Sequence, residues 1–441
     1  MMLDSILDAL KKRSDLAGWN VRHALSRGEQ LYAVPNGIES RRSVNSEKYV
    51  INVFRQTAAP DGSAALGRGD ATLLPGGDIE QAINQAALVA GLVANPVHTL
   101  PGPAPLPNVP LVDASLKDDP GRVLQSALEE MRAAVARVPG VRLTSAECFG
   151  EFESVHLVNS RGIDARQEMT STEVEFVLHA QNDDREVENM GVITRRRASD
   201  LNLAADVEEK ARQALDLLEA VPPPTWQGPV VLRGDGLVEF IASGSSFGFV
   251  ALERFGSASS KYSRMTNWEI GKTVFRGEVK GDPLTVWANR TMPYGTASNL
   301  FDNEGLPAQR IEFIRDNLLV NFTASQRYAD YLGVPATGAF GGVELPPGHT
   351  EAAALLAEPH IEVVHFSWFH PDPVTGNFAS EVRFGYLVEN GVRKPFTGGQ
   401  LIGNYMDALA DVCWSAETGF FGTYLGPHTA RFNDLKVAGA D

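Results

Sequence analysis

The chain has 441 residues, and its 39 basic and 55 acidic side chains give a formal net charge of −16 and a pI near 5.1. A polypeptide of this length buries sizeable cores without disulfide or metal staples, and its mean field repels phosphate backbones and anionic lipid, which argues against nucleic acid as a main partner. Its two cysteines, Cys148 and Cys413, make neither a disulfide framework nor a cysteine zinc cage and suit a reducing cytoplasm. No stretch nears the roughly 20 apolar residues that cross a bilayer.

Leu3, Ile6, Leu7 and Leu10 recur at helical spacing with Asp4 and Asp8 opposite, which predicts an amphipathic first helix rather than a secretory leader. Period-two segments at 30–34, 38–44 and 49–56, closed by Pro60-Asp61-Gly62, predict an antiparallel meander, because their joints are too short for crossover helices. A helix over 78–93 is expected to bury Ile79, Ile83, Ala87 and Val89 or Leu92. Prolines 96, 101, 103, 105, 107 and 110 predict an extended strap. A helix over 121–138 stops at Pro139-Gly140, and strands follow over 141–152, 153–159 and 163–181, the last two joined by a turn at Ser160-Arg161-Gly162. A helix over 203–220 ends at Pro222-Pro223-Pro224, where the domain boundary is placed. Beyond it a buried strand is expected at 229–232, short helices at 325–331, 351–356 behind Thr350 and 405–412 behind Asn404, and a hairpin whose arms 382–387 and 392–396 flank Asn390-Gly391. The predicted class is α+β in two domains with mostly antiparallel sheets: an N-terminal α/β meander domain over 1–221 and a C-terminal β-rich domain over 222–441.

The search for chemistry is mostly negative. No histidine is followed by glutamate, so the HExxH and HExxxH patterns, which set two imidazoles and a general base on one helix face, are absent. His360, His365 and His370 lie in a β-branched and aromatic segment, where His360 and His365 have opposite strand parity and read as ordinary strand histidines. Gly244-Ser245-Ser246-Phe247-Gly248 has the form of a nucleophile elbow, with 237–242 readable as the preceding strand, but the alternating strand and helix units of an α/β-hydrolase are missing and a turn is the preferred reading. Gly271-Lys272-Thr273 has Thr266 where a phosphate loop needs glycine, and Gly67-Arg68-Gly69 lacks the third glycine of a dinucleotide fingerprint; both read as turns. Arg195-Arg196-Arg197 follows Asp183, Asp184, Glu186 and Glu188, which predicts local pairing. Both cysteines read as buried structural thiols.

An ordered set of segments spanning nearly the whole chain resembles the TldD/PmbA family. It comprises the alanine-rich helix leading to Leu100-Pro101, the turn Asn159-Ser160-Arg161-Gly162, Phe301-Asp302-Asn303-Glu304-Gly305 followed by Ile314 and Leu318, the stretch from Asp372 to Glu381, Gly385-Tyr386-Leu387-Val388-Glu389-Asn390-Gly391, Gly403-Asn404, and Val437-Ala438-Gly439. In the TldD-like branch the helix after the first strand of the C-terminal domain carries HExxxH, and a late cysteine is a further ligand. Here the stretch after Val230-Val231-Leu232 reads RGDGLVEFIASGSSFG, without histidine, and Cys413 sits in ADVCWS.

The chain therefore resembles the zinc-less TldE/PmbA branch. The resemblance implies no catalytic residue, no metal ligand and no cofactor in this chain, and zinc in a partner subunit. It implies a non-catalytic, substrate-gating subunit of a heterodimeric zinc metalloprotease acting on unfolded peptides, inactive alone, with a TldD-like HExxxH subunit as partner and a homodimer left open in its absence. Thr375, Gly376, Asn377 and Phe378, in the loop before the hairpin, are read either as a cleft-facing element or as a plain β turn. An autonomous hydrolase with an unrecognised site and a protein-binding regulator of the gyrase-modulator type are the alternative readings.

Overall fold

The computed structural model describes residues 2–242 and 250–439. In the N-terminal half, α1 (Met2–Lys11) precedes β1 (Gly18–Val34), β2 (Gly37–Ala58) and β3 (Ala64–Leu73); α2 (Ile79–Leu92), α3 (Ala114–Asp118) and α4 (Pro120–Val135) follow, then β4 (Val141–Asn159), β5 (Asp164–Gln181), β6 (Glu186–Arg195) and α5 (Leu203–Leu218). The six strands form one sheet in the order β3-β2-β1-β4-β5-β6 with every pair antiparallel, the expected meander. The three short period-two segments are parts of one long hairpin: β2 runs on through the polar residues 39–48, where ladder hydrogen bonds to β1 rather than apolar alternation hold the backbone. Segments 141–152 and 153–159 likewise form the single strand β4. β6 escaped the sequence reading because Glu186 and Glu188 resemble a loop, whereas its inner residues Asn189, Gly191 and Ile193 are buried against β5.

Helix α2 starts as expected, with Asp78 accepting from the Gln81 N–H at 2.9 Å, but its buried face is Ala82, Ile83, Ala86, Ala87 and Ala90, and Val89 and Leu92 face solvent. The cause lies in β3. Gly67 and Gly69 are strand residues rather than a turn, and a Cβ on Gly67 would stand 1.7 Å from the Ala90 carbonyl oxygen, one on Gly69 2.0 Å from that of Ala86. The helix backbone rests directly on the strand, a fit that admits only small side chains between them.

In the C-terminal half, β7 (Trp226–Arg233) leads into α6 (Gly234–Ala242), α7 (Ala251–Gly256) and α8 (Ala258–Tyr262), then β8 (Val286–Asn289), β9 (Arg310–Arg315), β10 (Leu318–Leu319), α9 (Gln326–Leu332), β11 (Gly342–Glu344) and α10 (Ala352–Leu355). The chain continues through β12 (His360–Phe366), β13 (Asn377–Glu389), β14 (Val392–Phe396), β15 (Gln400–Asn404), α11 (Tyr405–Ala410), β16 (Val412–Trp414), β17 (Thr418–Phe420), β18 (Tyr424–Pro427) and β19 (Thr429–Ala438). One sheet has the order β10-β9-β8-β11-β18-β17; the other runs β12-β7-β19-β15-β13-β14 and closes on itself because β12 also pairs with β13. Between them lies the main core, centred on Phe240, which touches Phe369, Tyr405 and Phe432 with ring centroids 4.8–4.9 Å apart.

The local signals of this half hold in part. Asn390 and Gly391 have φ of 52° and 76°, the left-handed pair that a tight hairpin demands. Asn404 caps α11 through the Met406 and Asp407 N–H groups, and Gly271, at φ 79°, is a turn. Thr350 does not cap α10; Glu351 takes that position and Thr350 bridges to Ser415. Residues 237–242 are helical rather than extended.

The halves are joined by buried polar contacts. Arg196, instead of pairing with the nearby acids, donates to the carbonyls of Gly295, Thr296 and Ser298 at 2.8–3.0 Å, and burial pushes its guanidinium down to about 10. Gln167 accepts from the Leu300 N–H at 2.8 Å, and Phe301 packs into Val155, Leu157, Ile163 and Ala165 of the first sheet. The proline strap crosses between them: the Pro96 carbonyl accepts from the Tyr331 hydroxyl, Asp330 accepts from Thr99, and the Pro110 carbonyl accepts from the Tyr294 N–H. Gly69→Ala should lift α2 off β3 and lower stability by about 2–4 kcal/mol. A urea midpoint equal to wild type would show that the helix slides freely, contrary to this packing.

Candidate functional site

β7 and β12 are adjacent and parallel, so their carboxyl ends open on the same edge of the closed sheet. α6 springs from that edge. Gly234, at φ 51°, makes the sharp exit from β7, and Gly236, whose added Cβ would lie 2.7 Å from the Val363 carbonyl oxygen, lets the first helical turn rest on β12. Asp235 and Glu239, four residues apart, then share a side of the helix.

Both carboxylates are paired to other elements. Asp235 Oδ2 is 2.7 Å from Lys210 Nζ of α5, and Glu239 Oε1 is 2.8 Å from His365 Nδ1 of β12. Lys210 is buried, with its side chain 10% exposed, whereas that of Asp235 is 54% exposed, so the pair bridges α5 and α6 with its acid side toward solvent. Crowding pushes the Asp235 carboxyl up, but Lys210 beside it, helped by His365 and Arg195, outweighs this and holds it below the ordinary aspartate value. Asp206, one turn before Lys210, has no such direct cation: burial raises its carboxyl to about 6 against the pull of Arg195, with Asp235 and Glu209 raising it further and Lys210 opposing. Chemically this cluster offers fixed charges of both signs. It does not offer a metal cage, since among the described residues no three His, Cys, Asp or Glu side chains converge.

The residues singled out from sequence are scattered. His360 and His365 lie on β12, but bulges on either side of His365 break simple parity: His360 is buried with Nδ1 2.7 Å from the Glu358 carbonyl oxygen, and of the two only His365 reaches α6. Thr375, Gly376 and Asn377 form a turn braced from both sides. Asp372 accepts from the Thr375 N–H and hydroxyl, Asn404 donates to the Thr375 carbonyl and to Asn377 Oδ1, and Gly376, at φ 80°, accepts from the Tyr405 N–H. Thr375 and Asn377 are exposed, while Phe378 is a core residue against Phe369. Cys148 is buried, its thiol pushed up to about 12, and Cys413 is half-buried with its thiol also raised by burial. Ser246 and its GxSxG neighbours lie outside the described residues. Sequence reasoning missed Asp206, Lys210, Asp235 and Glu239; the one local signal was two acids four apart immediately after a buried strand.

The folded chain lets Asp206 keep its proton up to about pH 6, while the unfolded chain releases it near 3.8. The folded state therefore holds more protons in that window, and stability falls as pH rises through it and stays lower at neutrality. Asp206→Asn should stabilise the chain at pH 7 by about 1–2 kcal/mol and leave it unchanged below about pH 4. Urea titrations giving the same difference at both pH values would contradict this account.

Residues 240–439 match the family model for the PmbA/TldA metallopeptidase C-terminal domain. The chain is similar to the "Metalloprotease TldD homolog" of Haemophilus influenzae, at 27% identity over 237 residues, 49% of this chain and 46% of that protein. It is also similar to a "Metalloprotease" of Archaeoglobus fulgidus, at 24% identity over 245 residues, 50% of this chain and 53% of that one. The chain thus spans about half the length of the curated relatives it matches. Its fold is similar to that of TldE from Thermococcus kodakarensis, with a TM-score of 0.82 at 18% identity, covering 99% of this chain and 100% of that one. Residues 240–439 thus carry the PmbA/TldA metallopeptidase C-terminal domain, and the chain as a whole has a fold similar to that of TldE, which together support the TldD/PmbA family.

Proposed function

We propose that this chain is the non-catalytic, substrate-gating subunit of a TldD/TldE-type heterodimeric zinc metalloprotease that acts on unfolded peptides in the cytoplasm. The observation that carries this reading is α6, the helix after the first strand of the C-terminal half. It contains no histidine; its Asp235 is ion-paired with Lys210 and its Glu239 Oε1 lies 2.8 Å from His365 Nδ1. A catalytic zinc needs three protein ligands around an open fourth position. The described residues do not fit such an ion, so no hydrolytic step is assigned to this chain, and zinc is assigned to the partner's HExxxH. The full-length likeness to TldE supports the same reading.

The chain's own residues bind and orient. Asp206 can accept from peptide N–H groups and Arg195 can donate to carbonyls, so an extended, unpaired backbone can find partners here, whereas the backbone groups of a folded protein are already paired. The turn at Thr375 to Asn377, braced by Asp372 and Asn404, is read as a fixed element rather than a moving lid. Two cysteines without a disulfide fit a reducing compartment.

Mixing this chain with an HExxxH-bearing family member should give cleavage of an unfolded peptide that neither chain supports alone. A Glu-to-Gln change in the partner's motif should abolish it, and Ser246→Ala or Cys413→Ala here should leave it near normal. Cleavage by this chain alone at a comparable rate would sink the proposal, as would loss of activity in either alanine variant with assembly intact.

A further inference from the structure

A groove of about 230 Å³ lies in the N-terminal half, between α4 and the segment that enters α5. Arg122, Ser126 and Glu130 recur every four residues of α4, which sets them in one row along the helix, and all three are exposed. Behind the row the floor is apolar: Val123 and Ala127 of α4 face Leu201 and Leu203 across the groove, with Ala127 and Leu203 buried. At 1.5 Å of rise per residue the cation and the anion stand about 12 Å apart along the axis. The Ser126 hydroxyl, able to donate and to accept, lies between them.

Neither charge is used up within the fold. Glu130 Oε1 accepts from the Ala204 N–H at 3.1 Å, which anchors the carboxylate at the start of α5 and leaves Oε2 for another donor. The Arg122 backbone N–H donates to the capping Asp119 at 3.0 Å, but its guanidinium keeps only a loose pair, with Nε 3.7 Å from Asp119 Oδ2 and the side chain 74% exposed. The other charges nearby are engaged with one another or with backbone: Arg197 Nη2 is 2.6 Å from Asp200, and Asp113 accepts from the Ala198 N–H at 2.7 Å.

We propose that this groove binds a short peptide with both ends free, its carboxylate on Arg122 and its ammonium on Glu130. The occupant follows from the order of the charges. A simple anion would meet the Glu130 carboxylate and a simple cation the Arg122 guanidinium, whereas a ligand charged oppositely at its two ends is complementary to both. A free amino acid carries its charges on neighbouring atoms and cannot reach the two ends of the row. An extended chain advances about 3.3 Å per residue, so two or three residues bridge the space between side chains that both line the groove. Volume sets the same limit, because about 230 Å³ falls below the roughly 300–1,000 Å³ of sites for drug-sized ligands. The direction is fixed as well: Arg122 lies in the first turn of α4, where the helix dipole also favours a carboxylate. Small apolar side chains suit the floor, and the peptide amides suit Ser126. Short peptides are what a peptide-cleaving assembly releases, but the inference goes beyond the gating reading and does not rest on it, since it uses only residues of the N-terminal half.

Isothermal titration calorimetry of the full chain with trialanine tests this and needs neither zinc nor a partner. Wild type should bind with a Kd on the order of 0.1–1 mM, the range for a ligand of this size. N-acetyl-trialanine and trialanine amide, each lacking one terminal charge, should bind about three- to tenfold more weakly. In Arg122→Gln the amide should bind as well as the free acid, and in Glu130→Gln the acetylated peptide as well as the free amine. The amide oxygen introduced by Glu130→Gln still accepts from the Ala204 N–H, so the melting temperature should hold. Ser126→Phe, at an exposed position, should fill the groove and remove binding at an unchanged melting temperature. No binding of trialanine in the millimolar range, blocked peptides that bind as tightly as the free one, or a folded Ser126→Phe chain that still binds would overturn the proposal. Failure of the gating reading would leave these titrations unchanged, and failed titrations would leave the gating reading standing.

Discussion

The architecture depends on one buried cation. Arg196 leaves the end of β6 and donates to the backbone carbonyls of Gly295, Thr296 and Ser298 in one loop, with a fourth, longer contact to the Thr170 carbonyl of its own half. A guanidinium has five donors in a rigid fork and stays charged even when burial lowers its basicity, so it can saturate carbonyls of a loop that has no ladder of its own. The Gly295 carbonyl also accepts from the Ser298 N–H, but those of Thr296 and Ser298 take their hydrogen bonds from Arg196, and a buried carbonyl left unpaired costs about 1–3 kcal/mol. The C-terminal loop is thereby fixed on the first sheet, and Phe301 follows it into the apolar socket of Val155, Leu157, Ile163 and Ala165. The strap adds contacts on the other side through Pro96, Thr99 and Pro110.

Once the halves are set in this way, α5 lies opposite α6, and the Lys210–Asp235 pair becomes the contact between them. The exit at Gly234 and the close approach at Gly236 fix α6 from below, so its two acids have one arrangement, each against a cation or imidazole from another element. That rigidity favours a role in holding and admitting a substrate over one in bond breaking. A catalytic carboxylate must be free to exchange a proton with a reacting group at hydrogen-bond distance, whereas Asp235 is committed to Lys210 and Glu239 lies against His365. Asp206 lacks such a direct cation, and its carboxyl is raised to about 6 by burial.

How much of this was legible in the sequence follows from the range of the signals. The amphipathic α1, the turn at 160–162, the Asn390-Gly391 hairpin, the Asn404 cap and the antiparallel meander rest on neighbouring residues, and these were readable. The orientation of α2 was not, because Val89 and Leu92 are kept outside by glycines on another strand. Arg196 read as one member of a basic run next to acids, since its carbonyl partners lie about a hundred positions further on. β6 was hidden by its acids, and the site was hidden for the same reason as Arg196: Asp206 and Lys210 come from α5, Asp235 and Glu239 from α6, and His365 from β12. The ordered family motifs carried the functional reading further than any single residue pattern did, because they record the whole layout rather than one contact.

Native mass spectrometry of the chain, alone and mixed with an HExxxH-bearing family member, is the most direct test of the claim that chemistry and gating reside on separate subunits. The account predicts a complex with one copy of each chain and a single zinc carried by the partner, and no zinc on this chain by itself. A stoichiometric zinc on the isolated chain, or two chains that ignore each other under conditions where both are folded, would contradict it.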